Sequence, residues 1–298
     1  LATIRGGATF QWDPENVDVP TAIATRATVV TNAPTASETM LVSEKDRHVI
    51  LFGTETTIGT ASTQDKMFIR FSDQEDRNDW VPTSTNTAGF MRLSTGSEIR
   101  TAIQGRDYIF VLTDKAAYVM QFVGPPFTFS IRQVGTNCGC IGHNAAAFDG
   151  TVKNLSCNVE DYIFDDINYT SGQIVAAGVN NLYSEITWFY PTADSQVIDR
   201  YTSYNFTESA GIPGGVWTTG SLARTGWIDA DVQPDPYAIE YLTSSNVSNT
   251  PLLYGNSEGI TKMYAQEKGN NAVDSTGTST AVAAYIQSGD FDLDVDGD

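Results

Sequence analysis

The chain has 298 residues, of which 36 are acidic and 17 are basic, so its formal net charge at pH 7 is −19. Hydrophobic residues make up 41% of the chain and charged residues 18%, which is typical of a sheet-rich globular protein and excludes a disordered one. The acidic excess argues against a protein that grips nucleic acid, because such a protein needs Lys and Arg against the phosphates.

Short strand-like runs recur along the whole chain. Most are apolar, β-branched or aromatic and are bounded by Gly, Pro, Asn, Asp or Ser, which is the pattern of an antiparallel all-β protein. In chain order they predict strands over residues 48–53, 67–71, 108–112, 118–123, 127–132, 185–190, 197–204, 216–220, 237–242, 252–254, 260–264 and 282–286. Polar segments predict surface loops over residues 31–39, 83–88, 244–250 and 269–280.

One hairpin and one helix stand out from this pattern. The apolar runs 108–112 and 117–123 are separated by Thr113–Ala116, a short connection with the polar residues that a hairpin turn uses. The helix is predicted over residues 158–167, with Ser156 or Asn158 as its cap. Acidic residues in its first turn, Glu160 and Asp161, favour this assignment because they complement the helix dipole.

Loosely similar units of roughly 40 to 50 residues indicate a β-propeller built of antiparallel meander blades. A pair of β-sandwiches is the alternative. We treat residues 1–298 as a single β-rich region.

The sequence opens without Met inside a strand-like pattern and ends without closing an element, so we expect an interior portion of a longer polypeptide. Its apolar runs are far shorter than the roughly 20 residues that span a bilayer, and nothing at Leu1 resembles a signal peptide.

Catalytic chemistry finds little support in the sequence. Neither His48 nor His143 accompanies a nucleophile-elbow motif, and His48 opens an apolar strand, where we expect a half-buried or edge residue. No glycine-rich phosphate loop follows a strand and opens a helix. We therefore assign no catalytic and no cofactor-binding residue.

Two groups of residues invite a metal interpretation. Cys138, Cys140 and His143 offer three zinc ligands in a C-x-C-x-x-H spacing, with Cys157 as a distant fourth, whereas a structural zinc site needs four at suitable spacing. The glycine-flanked cysteines fit a tight bend between strands better, and three cysteines are too few for a disulfide scaffold, so we expect reduced thiols. Asp292, Asp294, Asp296 and Gly297 resemble the opening of a calcium loop without its closing acid. We assign neither group as a metal site.

An acidic run leads to Trp80. Its members are Asp73, Glu75, Asp76 and Asp79, and a glycosidase needs two carboxylates about 5 to 9.5 Å apart. The run also resembles the acidic turn and Trp of sialidase blades, although it lacks the Gly and the spacing of that motif. We interpret it as a hairpin turn tied down by Trp80. Aromatic residues that could stack on sugar rings are Trp80, Trp188, Trp217 and Trp227, although such residues are more often blade cores.

Whole strings of the sequence, rather than a single motif, resemble a virion protein family of tailed bacteriophages. They lie between Arg47 and Tyr264 and read FSDQEDRNDW, NTAGFMRLSTGSEI, VGPPFTFSIRQVGTNCG, EITWFYPTADSQVIDRYTSYNF and SLARTGWIDAD. The family is similar to the tail nozzle or tail tubular proteins that continue the portal channel of short-tailed phages.

This resemblance implies a β-propeller-rich structural subunit, one of six in a ring, made in the host cytoplasm and assembled into the virion tail. Its partners would be copies of itself, portal and adaptor proteins, tail fibre proteins, and double-stranded DNA that passes during genome ejection without specific binding. It implies no enzyme activity, cofactor or membrane in the mature virion. The alternatives are a glycan-binding or glycan-hydrolysing propeller and a secreted cation-dependent adhesin that uses Asp292–Asp298.

Overall fold

The structure is a computed structural model that describes residues 1–12, 26–148, 155, 157–229, 237–243, 259–266, 271–273 and 279–281. Those residues form twenty β-strands and one α-helix, so the all-β prediction is confirmed. The strands are β1 (Ala2–Thr3), β2 (Thr9–Gln11), β3 (Thr28–Val29), β4 (Thr39–Val42), β5 (Val49–Phe52), β6 (Phe68–Phe71), β7 (Gly89–Arg92), β8 (Ile99–Gln104), β9 (Ile109–Thr113), β10 (Ala116–Gly124), β11 (Thr128–Thr136), β12 (Ala176–Asn180), β13 (Glu185–Tyr190), β14 (Arg200–Asn205), β15 (Val216–Gly220), β16 (Gly226–Ile228), β17 (Tyr237–Thr243), β18 (Gly259–Ala265), β19 (Asn271–Val273) and β20 (Ser279–Ala281). The helix is α1 (Glu160–Asp166), and 3-10 turns cover Ala61–Thr63 and Tyr169–Ile174.

The strands form a succession of antiparallel meanders. Sheet 1 is β4–β7, sheet 2 is β8–β11, sheet 3 is β12–β15 and sheet 4 is β16–β18. In each sheet, strands that follow one another in the chain are hydrogen-bonded neighbours. A small sheet, β1–β3, precedes them, and the hairpin β19–β20 follows. The first three numbered sheets therefore share the four-stranded plan of a meander blade.

The hairpin between β9 and β10 is confirmed, with a tighter turn than predicted. The Thr113 hydroxyl accepts hydrogen bonds from the backbone N–H groups of Lys115 (3.2 Å) and Ala116 (2.9 Å). These bonds satisfy donors that the turn leaves unpaired, as Thr side chains commonly do. Val111 faces Tyr118 and Ile109 faces Met120 in the register of the two strands.

The sheets pack face to face around apolar cores. The largest core lies between sheets 1 and 2 and contains Ile50, Phe52, Ile69, Phe71, Ile99, Val111, Met120 and Phe129 among its buried members. The opposite face of sheet 1 packs Leu51 and Trp80 against Val30. Sheet 3 places Phe189 in a core with Trp227 of sheet 4. Each sheet thus buries its apolar residues against a neighbour, which is the requirement for stable sheet layers.

Close strand contacts between the sheets are concentrated in their first strands. Strand β4 contacts β8, β12 contacts β16, and β1 of the small sheet contacts β4. The later strands lead away from these contacts, and their order within each sheet follows the chain.

Several predicted boundaries are corrected. The strand predicted over residues 197–204 begins at Arg200, because the Asp199 carboxylate instead binds the backbone N–H and the hydroxyl of Thr192, both at 2.8 Å. The strand predicted over 127–132 extends to Thr136. The loop predicted over 269–280 contains β19 and most of β20. The predicted segments 244–250, 252–254 and 282–286 lie outside the described residues.

Helix α1 is present but differs at its start. Val159 occupies the cap position, and no side chain caps the helix there. The predicted role of Asn158 is therefore wrong, while Ser156 lies outside the described residues. Glu160 and Asp161 lie in the first turn, as predicted.

Candidate functional site

The acidic run before Trp80 is a hydrogen-bonded turn. The Trp80 side chain is only 1% exposed, and its indole N–H donates to the Arg77 carbonyl at 2.7 Å. Burial would raise the pKa of Asp73, but hydrogen bonds from Thr87 outweigh it and leave that pKa below its ordinary value. The four carboxylates accept hydrogen bonds as follows: Asp73 from Thr87, Glu75 from Arg47, Asp76 from Asn78 and Asp79 from Asn86. This arrangement agrees with a turn tied down by Trp80.

His48 is fully buried, so the expectation of a half-buried or edge position is wrong. Its ring lies between sheets 1 and 2, with ring centroids 5.1 Å from Phe129 and 5.8 Å from Phe122. Nδ1 lies 2.8 Å from the Ser72 carbonyl oxygen, and Nε2 has no hydrogen-bond partner among the described residues. Burial lowers the pKa of His48 despite this hydrogen bond and the charges of Asp46 and Asp73. The residue has the surroundings of a core histidine.

The cysteine segment forms a bend that docks on the β9–β10 turn. The backbone N–H of Cys138 donates to Lys115, and that of Cys140 donates to Thr113. A Cβ on Gly139 would lie 1.9 Å from the Asp114 carbonyl oxygen, so only glycine allows this approach. This geometry agrees with the predicted bend between strands.

The two groups of residues considered as metal ligands, neither of which was assigned as a metal site, are the cysteines and the C-terminal aspartates. Cys138, Cys140 and Cys157 are free thiols, and burial raises the pKa of Cys140 and Cys157. Within the described ranges, no group of three or more His, Cys, Asp or Glu residues could hold a metal ion. The segment Asp292–Asp298 lies outside those ranges.

A charge network, which the sequence did not reveal, lies at the starts of β4 and β8. Lys66 Nζ is 3.0 Å from Glu98 Oε2 and 3.7 Å from Glu38 Oε1. Arg100 Nη2 lies 2.7 Å from Glu98 Oε1. The hydrogen bond to Glu98 raises the pKa of Lys66; burial would raise the pKa of Glu98, but Lys66 and Arg100 lower it overall. The network joins sheets 1 and 2 at their first strands, and no local motif marks it because Lys66 and Glu98 are 32 residues apart.

The other three predicted tryptophans lie in or beside sheets 3 and 4. Trp188 and Trp217 stack with centroids 6.1 Å apart, and Trp227 stacks on Phe189 at 5.8 Å. Their indole N–H groups donate to backbone carbonyls, that of Trp227 to Val179. All three are partly exposed, and Trp227 fits the role of a core residue best because it joins the two sheets.

An apolar cavity of about 420 Å³ separates sheet 2 from sheet 3. Ile163 of helix α1 and Ile167, which follows the helix, contribute to its walls, and the cysteine bend contributes Cys140 and Ile141. Its aromatic lining residues are Trp188, Tyr190 and Trp217 of sheet 3 and Phe164 of α1. In the described part of the chain, no helix has the length and apolar character needed to cross a membrane.

The candidate sites therefore consist of this cavity and of the contacts between first strands, while the acidic turn, His48 and the cysteines fit structural positions. Comparison of the sequence with protein-family models and with curated proteins gives no match.

Proposed function

We propose that this chain is a structural subunit of a bacteriophage tail, of the nozzle or tubular kind, and that it has no catalytic role. The observation that carries the proposal is the succession of antiparallel meanders, three of them four-stranded, in which sheet 1 contacts sheet 2 and sheet 3 contacts sheet 4 through their first strands. A propeller has this plan, because its blades meet near the axis through their first strands and bury their faces against neighbouring blades. The resemblance of five sequence strings to the tail family agrees with this plan.

The charge of the chain supports a role as a DNA conduit. With a net charge of −19, the protein repels the phosphate backbone of DNA. It cannot gain affinity by displacing counterions from the phosphates, so DNA would pass without specific binding. The basic residues Lys66 and Arg100, near the starts of the first strands, are paired with Glu38 and Glu98. Paired cations of this kind offer little attraction to a passing phosphate backbone.

In the proposed assembly, six copies form a ring below the portal and adaptor proteins and also contact tail fibre proteins. The protein is made in the host cytoplasm and resides in the virion tail. Electron-microscopy reconstruction of intact particles tests this arrangement through the position and copy number of the chain. We expect six copies around the tail axis, and absence of the chain from purified particles would refute the proposal.

The conduit role has a separate test in DNA retardation at low salt. We expect the wild-type protein to leave a double-stranded DNA fragment unretarded. The matched variants Glu38→Gln and Glu98→Gln, which release Lys66 and Arg100 from their partners, should retard DNA slightly more. Tight, salt-sensitive binding by the wild-type protein would contradict a conduit that does not hold DNA.

The glycan alternative has weaker support from the geometry. Trp80 is too deeply buried to stack on a sugar ring, and the Asp73 carboxylate is engaged by Thr87 at 2.5 and 2.7 Å. A glycan array separates the two proposals. Binding that is lost in Asp73→Ala would favour the glycan role, and an array without binding would favour the structural role.

A further inference from the structure

An exposed aromatic surface lies on helix α1 and the 3-10 turn that follows it. The side chains of Tyr162, Phe164 and Tyr169 are 46%, 51% and 62% exposed. Tyr169 adjoins the helix, because its hydroxyl donates to the Phe164 carbonyl at 3.2 Å. Exposed apolar side chains that adjoin one another mark a surface that binds a partner, whereas isolated ones need no explanation. We call these three residues, with the exposed acidic residues Asp161 and Asp165 beside them, the α1 patch.

The charge around the α1 patch selects the kind of partner. Residues 157–229 contain nine acidic and two basic residues. Asp161 and Asp165 form no ion pair within the described ranges. One of the two basic residues, Arg200, is already engaged, because its guanidinium donates to the Tyr162 hydroxyl at 2.7 Å. A partner for this surface therefore combines apolar groups with positive charge and lacks acidic groups.

The β10–β11 hairpin has the complementary composition. Residues 115–148 contain no Asp or Glu, although 36 acidic residues in 298 would place about four in a stretch of this length. Phe127 at the turn is 76% exposed, and Val123 before it is 52% exposed. Arg132 on β11 is exposed and forms no ion pair in the part of the chain that the structure describes. We call Val123, Phe127 and Arg132 the hairpin tip.

The two surfaces lie at opposite ends of sheet 2. Helix α1 packs near Ile141, next to the cysteine bend that docks on the β9–β10 turn. The hairpin tip lies at the other end of β10, which is nine residues long and therefore spans roughly 30 Å. One chain cannot bring its own hairpin tip to its own α1 patch across that distance. A contact between these surfaces must join two copies.

We propose that the hairpin tip of one copy of this chain docks on the α1 patch of a second copy. Phe127 and Val123 bury apolar surface against the aromatic rings of the patch, and Arg132 meets its carboxylates and ring faces. The contact is heterologous because it joins two different surfaces, and heterologous contacts close into rings or extend into filaments. This inference rests on the ring proposed above and names the surfaces that form it.

Sedimentation velocity of the full chain tests this contact. At roughly 0.1 mM protein and low salt, a contact with a Kd of that size is half formed, so we expect association that rises with concentration. Added salt should weaken it. Phe127→Asp and Tyr169→Asp should each weaken association at least about 10-fold, the loss expected for a central aromatic anchor. The matched variants Phe127→Leu and Tyr169→Phe should retain most of it, and Leu182→Ser, at a 59% exposed position in neither surface, should change nothing.

Mixing the two damaged variants distinguishes a head-to-tail contact from one that joins like surfaces. Phe127→Asp keeps a working α1 patch, and Tyr169→Asp keeps a working hairpin tip. We expect each variant alone to be monomeric and the mixture to form a 1:1 dimer. The dimer cannot grow, because its two remaining surfaces both carry an introduced acid. Circular dichroism confirms that both variants are folded.

The inference fails if the wild-type chain stays monomeric under these conditions, if folded Phe127→Asp protein associates like the wild type, or if the two damaged variants do not dimerise when mixed. Particle reconstruction separates this inference from the proposed function. Copies arranged in a ring whose hairpin tips do not meet α1 patches would overturn the inference alone. A chain that associates head to tail in solution but is absent from particles would overturn the proposed function alone.

Discussion

Acidification from pH 8 to pH 5 should weaken the fold through His48. The Ser72 carbonyl can only accept a hydrogen bond, so Nδ1 carries the proton of the neutral ring and Nε2 is the site that acid would protonate. That nitrogen has no partner among the described residues and lies among the rings of Phe71, Phe122 and Phe129. Protonation would therefore place an unpaired charge in an apolar core, which burial disfavours.

The sign and size of the effect follow from linkage. The pKa of His48 is lowered in the folded protein, so the unfolded chain takes up the proton first. Stability is complete above the unfolded pKa of about 6.5 and falls as the pH drops toward the folded pKa, by about 1.4 kcal/mol for each unit between the two values. Burial and the charges of Arg5 and Arg100 lower the pKa of His143, so it acts in the same direction. The carboxylates with lowered pKa titrate well below this window.

Urea unfolding at pH 8, 6 and 5 measures the effect in the wild type, His48→Gln and His143→Gln. In His48→Gln the introduced amide can still donate a hydrogen bond to the Ser72 carbonyl, but three ring contacts are lost, each worth about 0.5–1.5 kcal/mol. We therefore expect this variant to lower the free energy of unfolding at pH 8 by about 2–4 kcal/mol. It should also remove part of the pH dependence. Because the chain has two histidines, NMR titration resolves each ring directly. A His48 pKa at or above 6.5, or a full pH slope in His48→Gln, would refute the reasoning.

Two further predictions concern the bend and the acidic turn. Gly139→Ala should destabilise the protein by about 2–4 kcal/mol in thermal or urea unfolding, because its Cβ would clash with the Asp114 backbone, whereas Gly226→Ala, with nothing within 4 Å, is the control and should be near neutral. Asp73→Asn should cost about 1–3 kcal/mol at pH 7 and reduce acid sensitivity below pH 4, where the lowered pKa of Asp73 makes stability fall. Glu75→Gln, at an exposed ion pair, should cost less than about 1 kcal/mol, and equal losses in both variants would contradict this account of the turn.

Strands with apolar sequences were predictable, while several first strands were not. The run EITWFY of β13 and the run VILF of β5 are rich in apolar and aromatic residues; β13 has the predicted bounds, and β5 is one residue shorter at each end than predicted. In contrast, β12 reads AAGVN and β8 reads IRTAIQ, so small and polar residues obscure their pattern. These strands are specified by pairing and by contact with a neighbouring sheet, which local propensity does not contain.

The side-chain sites, like the strands, could be predicted from the sequence only where local residues determine their geometry. The turn before Trp80 and the bend at Gly139 were predictable, because acidic residues, Gly and Trp fix local geometry. The burial of His48 was not, since it depends on Phe122 and Phe129 from another sheet. The cavity was equally hidden, because residues that lie far apart in the chain, from Leu112 to Trp217, come together to form it.

The concentration of contacts between sheets in their first strands also bears on how such a protein can diversify. The tip of the β10–β11 hairpin is remote in the strand order from β8, and Phe127 at that tip is 76% exposed. Insertions or substitutions at such tips leave the contact between β4 and β8 unchanged. One inherited scaffold could therefore be fitted to different neighbours by altering its outer hairpins alone.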